Sequence, residues 1–501
     1  MPLQHSCKNI LCRLCQLGLV TALSLICLLA CVSSHAQIQL ISHPSASPIT
    51  LSAGPQRALP KNYLGYNIDM AAYQVDWHSM SFLGAIHGLA PGTLRFPGGS
   101  FSNLYEWKTG YFSAQAPGNF KWALKRAPFT LNDLRTALLA SKAKPIFVLN
   151  MLTSTLGDQL AMLKRAQQMG LPVDYVELGN EFYFSTPENL ALFPTGQSYG
   201  KAASVWANAV HDQFPNAKVA ALGCYAPWPL FIDHRKGYWD HDVLQTLSGA
   251  DAITLHYYVD AHKILSGWGG DVTTESIPLL LGAPFDNLPG LKKVISEIPP
   301  NLPIWVTEFN VMDATWRRQR PPIFGPLPGT WAQGLMVGIM TFQFLAIPQI
   351  QRLDFHALAD ARPFGAIYTG DPTAPYPLAT RYAYSASGQV LRIFGKSLSG
   401  AIYYQPIKFS STPSINGVKG IYPGLLGGLF SKSDSKSVLI ENLSPDSVLI
   451  DPTSLVGNTY KIDQAWANPS DRILNPTSLK TLHVPAQGAV KLPPYSVTLI
   501  E

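Results

Sequence analysis

Cysteine is nearly absent from the body of this chain. Of 6 cysteines in 501 residues, Cys7, Cys12, Cys15, Cys27 and Cys31 fall at the N-terminal end and Cys224 stands alone. A disulfide framework is excluded for the body, and Cys7, Cys12 and Cys15 make no zinc module in a segment that export would remove. Cys224 ends a predicted strand and reads as a small buried hydrophobe rather than a nucleophile. Charge is scarce too. Charged residues make up 14% of the chain, against about 25% in an average domain. The net charge is +6, with Lys8 and Arg13 in the leader. No basic stripe of the kind nucleic-acid binding needs is present. Low-complexity linkers are missing, and the 39 glycines and 41 prolines follow no collagen period, so they read as turns. With 47% hydrophobic and 11% aromatic residues, a disordered chain is excluded. The apolar run from Gly334 to Ile347 is shorter than a membrane span and is closed by Pro348, so it reads as a buried helix.

The first 36 residues read as a signal peptide. Lys8 and Arg13 precede an apolar run from Leu17 to Val32, and Ser34 and Ala36 take the −3 and −1 positions for cleavage before Gln37. Leu28-Leu29-Ala30-Cys31 also has the form of a bacterial lipobox, which would leave a lipid anchor on Cys31. Both routes lead to export, periplasmic or secreted.

From Leu64 to His356 one pattern repeats: a short apolar run closed by polar or aromatic residues, then a helical stretch. The candidate strands are Leu64–Asp69, Thr93–Phe96, Pro145–Asn150, Tyr175–Asn180, Val219–Cys224, Ala252–Tyr257, Ile304–Phe309 and Ile350–His356. Several are apolar nearly throughout, as strands buried on both faces are. Eight such units predict an α/β fold, a (β/α)8 barrel whose site lies at the C-terminal ends of the strands. Thr130 with Asp133 resembles a capping box, and Asp158 is expected to open the next helix, which Gly170 ends. After about Gly400 the runs Ser437–Ile440, Ser447–Ile450, Thr459–Ile462, Thr481–Val484 and Val497–Ile500 predict a β-sandwich, which the strand-like segment Ile38–Leu51 joins. The expected division is 1–36 leader, 37–60 N-terminal strand segment, 61–398 barrel and 399–501 β-sandwich.

Glu181 follows the fourth candidate strand, in Glu177-Leu178-Gly179-Asn180-Glu181, and Glu308 closes the seventh, in Val306-Thr307-Glu308. A barrel points both into one cleft. Glycoside hydrolysis needs such a pair, one acid for the leaving oxygen and one carboxylate at the anomeric carbon. Arg95 lies within a strand, where an unpaired cation is costly, so Glu177 and Glu308 are its expected partners. Either it keeps Glu308 charged or it makes a structural pair with Glu177. His256 and Tyr258 are two apart and share a face if extended, so Tyr258 can donate to the nucleophile while His256 binds substrate or serves structure.

Asn-Glu after strand four and Glu after strand seven resemble the large clan of retaining (β/α)8 glycoside hydrolases. The stretch Leu94-Arg95-Phe96-Pro97-Gly98-Gly99-Ser100-Phe101-Ser102-Asn103-Leu104-Tyr105-Glu106-Trp107 is similar to a segment of the α-L-arabinofuranosidases of family 51. Leu255-His256-Tyr257-Tyr258 resembles that family's His-x-Tyr. Family 79, of heparanase and β-glucuronidases, shares the two-Glu plan, a related Gly-Gly turn and a His-Tyr-Tyr run. The resemblance implies Glu181 as acid/base, Glu308 as nucleophile and Asn180 as partner of the sugar 2-hydroxyl. It implies a carbohydrate substrate, most closely of the arabinofuranosidase kind, and no cofactor. Asn103 falls in the matched segment as a substrate-binding candidate. Trp107 either stacks on a sugar or is buried at the barrel top. Asp69 stands where the arabinofuranosidases carry a Glu that touches the furanose, and Thr-Glu-Phe-Asn replaces their usual Glu-Trp form. Asp233-His234 with Asp240-His241-Asp242 reads as a rim loop and helix start rather than a metal site, and no nucleophile elbow is present.

Overall fold

The computed structural model describes residues 47–501 apart from 69–74, 116–123, 125–127, 227–233, 268–270, 314–324, 363 and 371–378. The leader, the lipobox and most of the segment Ile38–Leu51 therefore lie outside the described residues. Eight parallel strands close into a barrel in chain order: Leu64–Asn67, Thr93–Phe96, Lys144–Val148, Tyr175–Glu177, Lys218–Leu222, Ala252–Asp260, Ile304–Met312 and Ile350–His356. Each overlaps an expected strand. The sixth and seventh run on to Asp260 and Met312, beyond the ends read from their apolar runs. Both then carry polar residues at the mouth.

The barrel interior grades from apolar to polar. At its base Ile146, Ala220, Ala252 and Trp305 form a small cluster with Tyr175. The Arg352 guanidinium lies 3.7 Å over the Tyr175 ring. Higher up, Thr93, Glu177, Thr254, Thr307 and Asp354 are all buried. Two residues on from Thr93, Thr254 and Asp354, the same strands present Arg95, His256 and His356, because inward positions recur every second residue.

The capping box at Thr130 and Asp133 is formed. Asp158 does not open its helix. Thr155 is the N-cap of Leu156–Gln168, its side chain accepting from the Asp158 N–H, because the hydroxyl sits one turn earlier where the free N–H groups are. Helix Trp331–Leu345, which carries the Gly334–Ile347 run, is buried along its whole length. No helix among the described residues is long and apolar enough to cross a membrane.

Beyond the barrel a mostly antiparallel sheet runs in the order Lys480–Gln487, Thr459–Trp466, Ser496–Ile500, Lys436–Asn442, Leu425–Ser431, Tyr403–Phe409, Ile49–Ala53, Val448–Asp451 and Val490–Leu492. It wraps a second core that includes Leu51, Ile407, Leu429, Val438, Ile450, Ile462, Leu492 and Ile500. The N-terminal strand is integral to it, pairing antiparallel with Tyr403–Phe409 and parallel with Val448–Asp451. This is a TIM barrel with a C-terminal β-sandwich that also takes an N-terminal strand. The barrel and sandwich pack tightly. Trp331 Nε1 donates to Tyr495 O at 2.6 Å. Glu441 of the sandwich lies where a side chain on Gly338 of the buried helix would stand.

Candidate active site

Two backbone irregularities aim the carboxylates. In the seventh strand Leu255 pairs with Val306 but His256 pairs with Glu308, so Thr307 is an extra residue. A bulge of this kind breaks the alternation of side chains. Thr307 Oγ1 and Glu308 consequently both reach the interior: Thr307 donates to Glu177 Oε1 at 3.1 Å, and Glu308 meets Arg95. At the fourth strand the chain turns through Gly179 (φ 86°) and Glu181 (φ 51°). A non-glycine residue in this left-handed region is strained, and such strain collects at functional sites. The turn presents Asn180 and Glu181 together. Asn103 fixes it, accepting from Asn180 N–H at 3.1 Å and donating to Asn180 O at 2.7 Å.

Glu308 is buried within donors. Arg95 Nη1 donates to Oε1 at 2.9 Å, Asn67 Nδ2 to Oε1 at 3.1 Å, and Tyr258 Oη to Oε2 at 2.7 Å. Nδ1 of His256 and of His356 lie 3.5 and 3.6 Å from Oε2. Burial alone pushes a carboxyl up. Here the charges of His256, His356 and Arg95 and the Tyr258 hydrogen bond outweigh it and hold Glu308 down at about 2. Arg95 also grips Glu177 through Nε (2.6 Å) and Nη2 (3.0 Å), and donates from Nη2 to Asn180 Oδ1 at 2.8 Å. Both expected Arg95 pairs are thus present at once.

Glu181 is more open, its side chain 17% exposed against 5% for Glu308. Its Oε1 receives Tyr183 Oη at 3.0 Å and faces His256 Nδ1 at 3.0 Å, while Ser100 Oγ reaches Oε2 at 3.2 Å. His256 stands between the two carboxylates. Burial pushes its imidazole down, but Glu308 and Glu181 more than reverse this and favour the imidazolium. Burial, followed by the nearby Glu181 for Tyr183 and Glu308 for Tyr258, lifts both phenols well above their usual range, so they act as neutral donors.

Of the expected site residues, the structure brings together Glu181, Glu308, Asn180, His256, Tyr258 and Arg95. One differs from expectation. The Asn103 amide is engaged by the Asn180 peptide and positions that turn rather than facing the cleft. Trp107, expected either on a sugar face or buried at the barrel top, packs half-buried against the core, and its Nε1 donates to Asp158 Oδ2 on the helix Leu156–Gln168 at 3.1 Å. Asp69 lies outside the described residues. Sequence reasoning missed Asn67, Tyr183, Ser100 and His356. His356 closes its strand as Glu308 closes an apolar run, but that strand also carries Gln351, Arg352 and Asp354, so its signal was weaker. Glu181, His256 and Glu308 are the group among the described residues whose donor atoms converge within 4.8 Å. Each of the three is already engaged by protein donors or by one another.

No family model matches the chain, and no curated protein matches it. Solved structures do resemble it. An α-L-arabinofuranosidase of family 51 from Bifidobacterium longum superimposes with TM-score 0.67 at 15% identity, covering 91% of this chain and 99% of that one. The thermostable family 51 α-L-arabinofuranosidase from Thermotoga petrophila gives 0.65 at 17% identity, covering 90% and 99%. A 4-O-α-L-rhamnosyl-β-D-glucuronidase from Fusarium oxysporum gives 0.57 at 14% identity, also covering 90% and 99%. The chain therefore shares the barrel-and-sandwich fold of these glycosidases.

Proposed function

We propose that the protein is a retaining glycoside hydrolase acting by double displacement on a polysaccharide or oligosaccharide outside the cell. One observation carries this reading: an oxygen of Glu181 and an oxygen of Glu308 lie within 4.8 Å of each other across His256. Retaining enzymes keep their carboxyls about 5–5.5 Å apart, and inverting ones about 6.5–9.5 Å, to admit a water. In the first step Glu308 attacks the anomeric carbon while Glu181 donates its proton to the departing oxygen. The glycosyl–Glu308 ester forms as the glycosidic bond breaks. In the second step Glu181, now a carboxylate, takes a proton from water. That water attacks the same carbon and releases Glu308. Asn180 Nδ2 is buried with no partner among the described residues, which suits it to the sugar 2-hydroxyl. A hydrogen bond there that tightens in the transition state raises the rate.

The arabinofuranosidase reading of the sugar rests on the Arg-Phe-Pro-Gly-Gly and His-Tyr-Tyr segments, and the likeness to the family 51 structures supports it. The Fusarium glucuronidase, with the same fold, supports a β-glucuronidase-like activity as second reading. Paired assays on aryl α-L-arabinofuranoside and aryl β-glucuronide, with Glu308→Ala as control, separate the two. Glycan binding with no turnover of any glycoside would leave a binding protein instead. Export follows from the N-terminal signal pattern, with soluble release before Gln37 or lipid attachment at Cys31 as its two forms. Labelling with a lipid precursor distinguishes them.

A further inference from the structure

Beneath the carboxylate pair the barrel holds an acid that the reaction does not use. Asp354 lies on the eighth strand, two residues before His356, and is buried. The first strand makes room for it. Residue 65 is glycine, and a Cβ there would come 2.3 Å from Asp354 Oδ1 and 1.9 Å from Thr93 Oγ1. Asp354 receives one hydrogen bond, from Thr93 Oγ1 to Oδ1 at 2.6 Å, and Oδ2 is buried without a partner among the described residues.

The charged groups around it offer no ion pair. Arg352, on its own strand, lies on the Tyr175 ring and donates to Asn62 O. Arg95, two residues above Thr93 on the second strand, directs Nε, Nη1 and Nη2 at Glu177, Glu308 and Asn180. Glu177, from the fourth strand, carries like charge. A buried anion with one hydrogen bond is costly, and neutralisation is the usual outcome. Burial pushes the Asp354 carboxyl up to about 7, against the pull of Thr93, Arg352 and Arg95.

We propose that Asp354 is a positioning residue for the carboxylate pair, held as the neutral acid beneath Arg95 so that the guanidinium stays aimed at Glu177, Asn180 and Glu308. The proposal rests on the glycosidase reading. An ionised Asp354 would be one more carboxylate competing for Arg95, alongside Glu177 and Glu308. Its charge draws the guanidinium toward the barrel base and loosens what keeps the nucleophile ionised and in place. The neutral acid, shaped like an asparagine, leaves Arg95 where it is.

Asp354→Asn tests this, since the amide keeps an acceptor for Thr93 and cannot ionise. kcat/KM on the acidic side should stay within about threefold of wild type, and the alkaline limb should move up by about one pH unit. Thr93→Val removes the single donor to the anion and should move the same limb up as well, which covers the case in which Asp354→Asn does not fold. A purely structural Asp354 would leave the limb unmoved in both variants, and that result overturns the proposal. Infrared difference spectra near pH 6 should show the carbonyl stretch of a protonated carboxylic acid in wild type that Asp354→Asn lacks. This band is read without substrate. Its absence overturns the proposal even in an active enzyme, whereas its presence in a protein that turns over no glycoside overturns the glycosidase reading.

Discussion

Replacing Tyr258 by Phe removes one hydroxyl and leaves the ring in place. That hydroxyl donates to Glu308 Oε2 at 2.7 Å. A hydrogen bond to a charged group contributes about 1.5–3 kcal/mol. At 1.36 kcal/mol per pKa unit this corresponds to about 1–2 units. Glu308, held at about 2 in the wild type, should rise to about 3–4 in Tyr258→Phe by that arithmetic. The acid limb of kcat/KM follows the nucleophile of the free enzyme, so it should move up by the same amount. The assay is kcat/KM against pH from 2.5 upward, on an aryl glycoside with a good leaving group so that Glu181 does not limit the rate. Stability gives the same sign. A depressed carboxyl stabilises the fold above its ordinary pKa of 4.5, and the contribution is lost as pH falls through about 2. Tyr258→Phe should therefore be less stable than wild type at neutral pH, by about 1.5–3 kcal/mol, and the gap should close in acid. An acid limb that stays in place or moves down refutes the idea that Tyr258 holds the nucleophile ionised.

Glu181→Ala should still form the glycosyl-enzyme from an activated aryl substrate and then stall; azide should restore turnover with a retained product, and an inverted azide product would remove Glu181 from its role. Cys224 is buried, so Cys224→Ser should keep turnover within a few-fold and thiol reagents should not inactivate the folded protein; active-site-protectable inactivation would contradict this. Burial raises the Asp240 carboxyl to about 7 from 3.8, against the Cys224 N–H it accepts. Stability tied to this proton is present below pH 3.8 and lost as pH rises through about 7. Asp240→Asn keeps the acceptor and abolishes the titration, so in urea denaturation it should gain on wild type between pH 5 and pH 8, by up to about 2.5 kcal/mol; an equal difference at both pH values would show that Asp240 does not titrate there.

The barrel was legible because strands buried on both faces leave an apolar run with no alternation to confuse it, as in Ile146–Val148 and Val219–Leu222. The site candidates were legible for the complementary reason, since Glu308 and Arg95 interrupt such runs with charge and Glu181 follows one closely. What sequence could not give was the aim of the side chains. The bulge at Thr307 changes which residues of the seventh strand face inward, and nothing in Trp-Val-Thr-Glu announces it. Asn67, Tyr183 and Ser100 are common polar residues whose importance comes from the chain ends they meet in space. Among the sandwich strands that were missed, two contain residues that usually signal turns. Pro406 sits inside Tyr403–Phe409, and Gly427-Gly428 inside Leu425–Ser431. There a Cβ on Gly428 would come 2.6 Å from the Tyr404 ring, so the glycine is required by packing across the strands. Pro284 and Pro289 likewise lie inside the helix Ser276–Glu297.

Glu181 and Glu308 are assigned here as the acid/base and nucleophile of a double displacement. Proton NMR of the first product formed by the wild-type protein, recorded before mutarotation, tests this assignment most directly. Two attacks at one carbon predict a product with the anomeric configuration of the substrate. A product of inverted configuration would mean that water attacks the anomeric carbon directly, and would contradict the account.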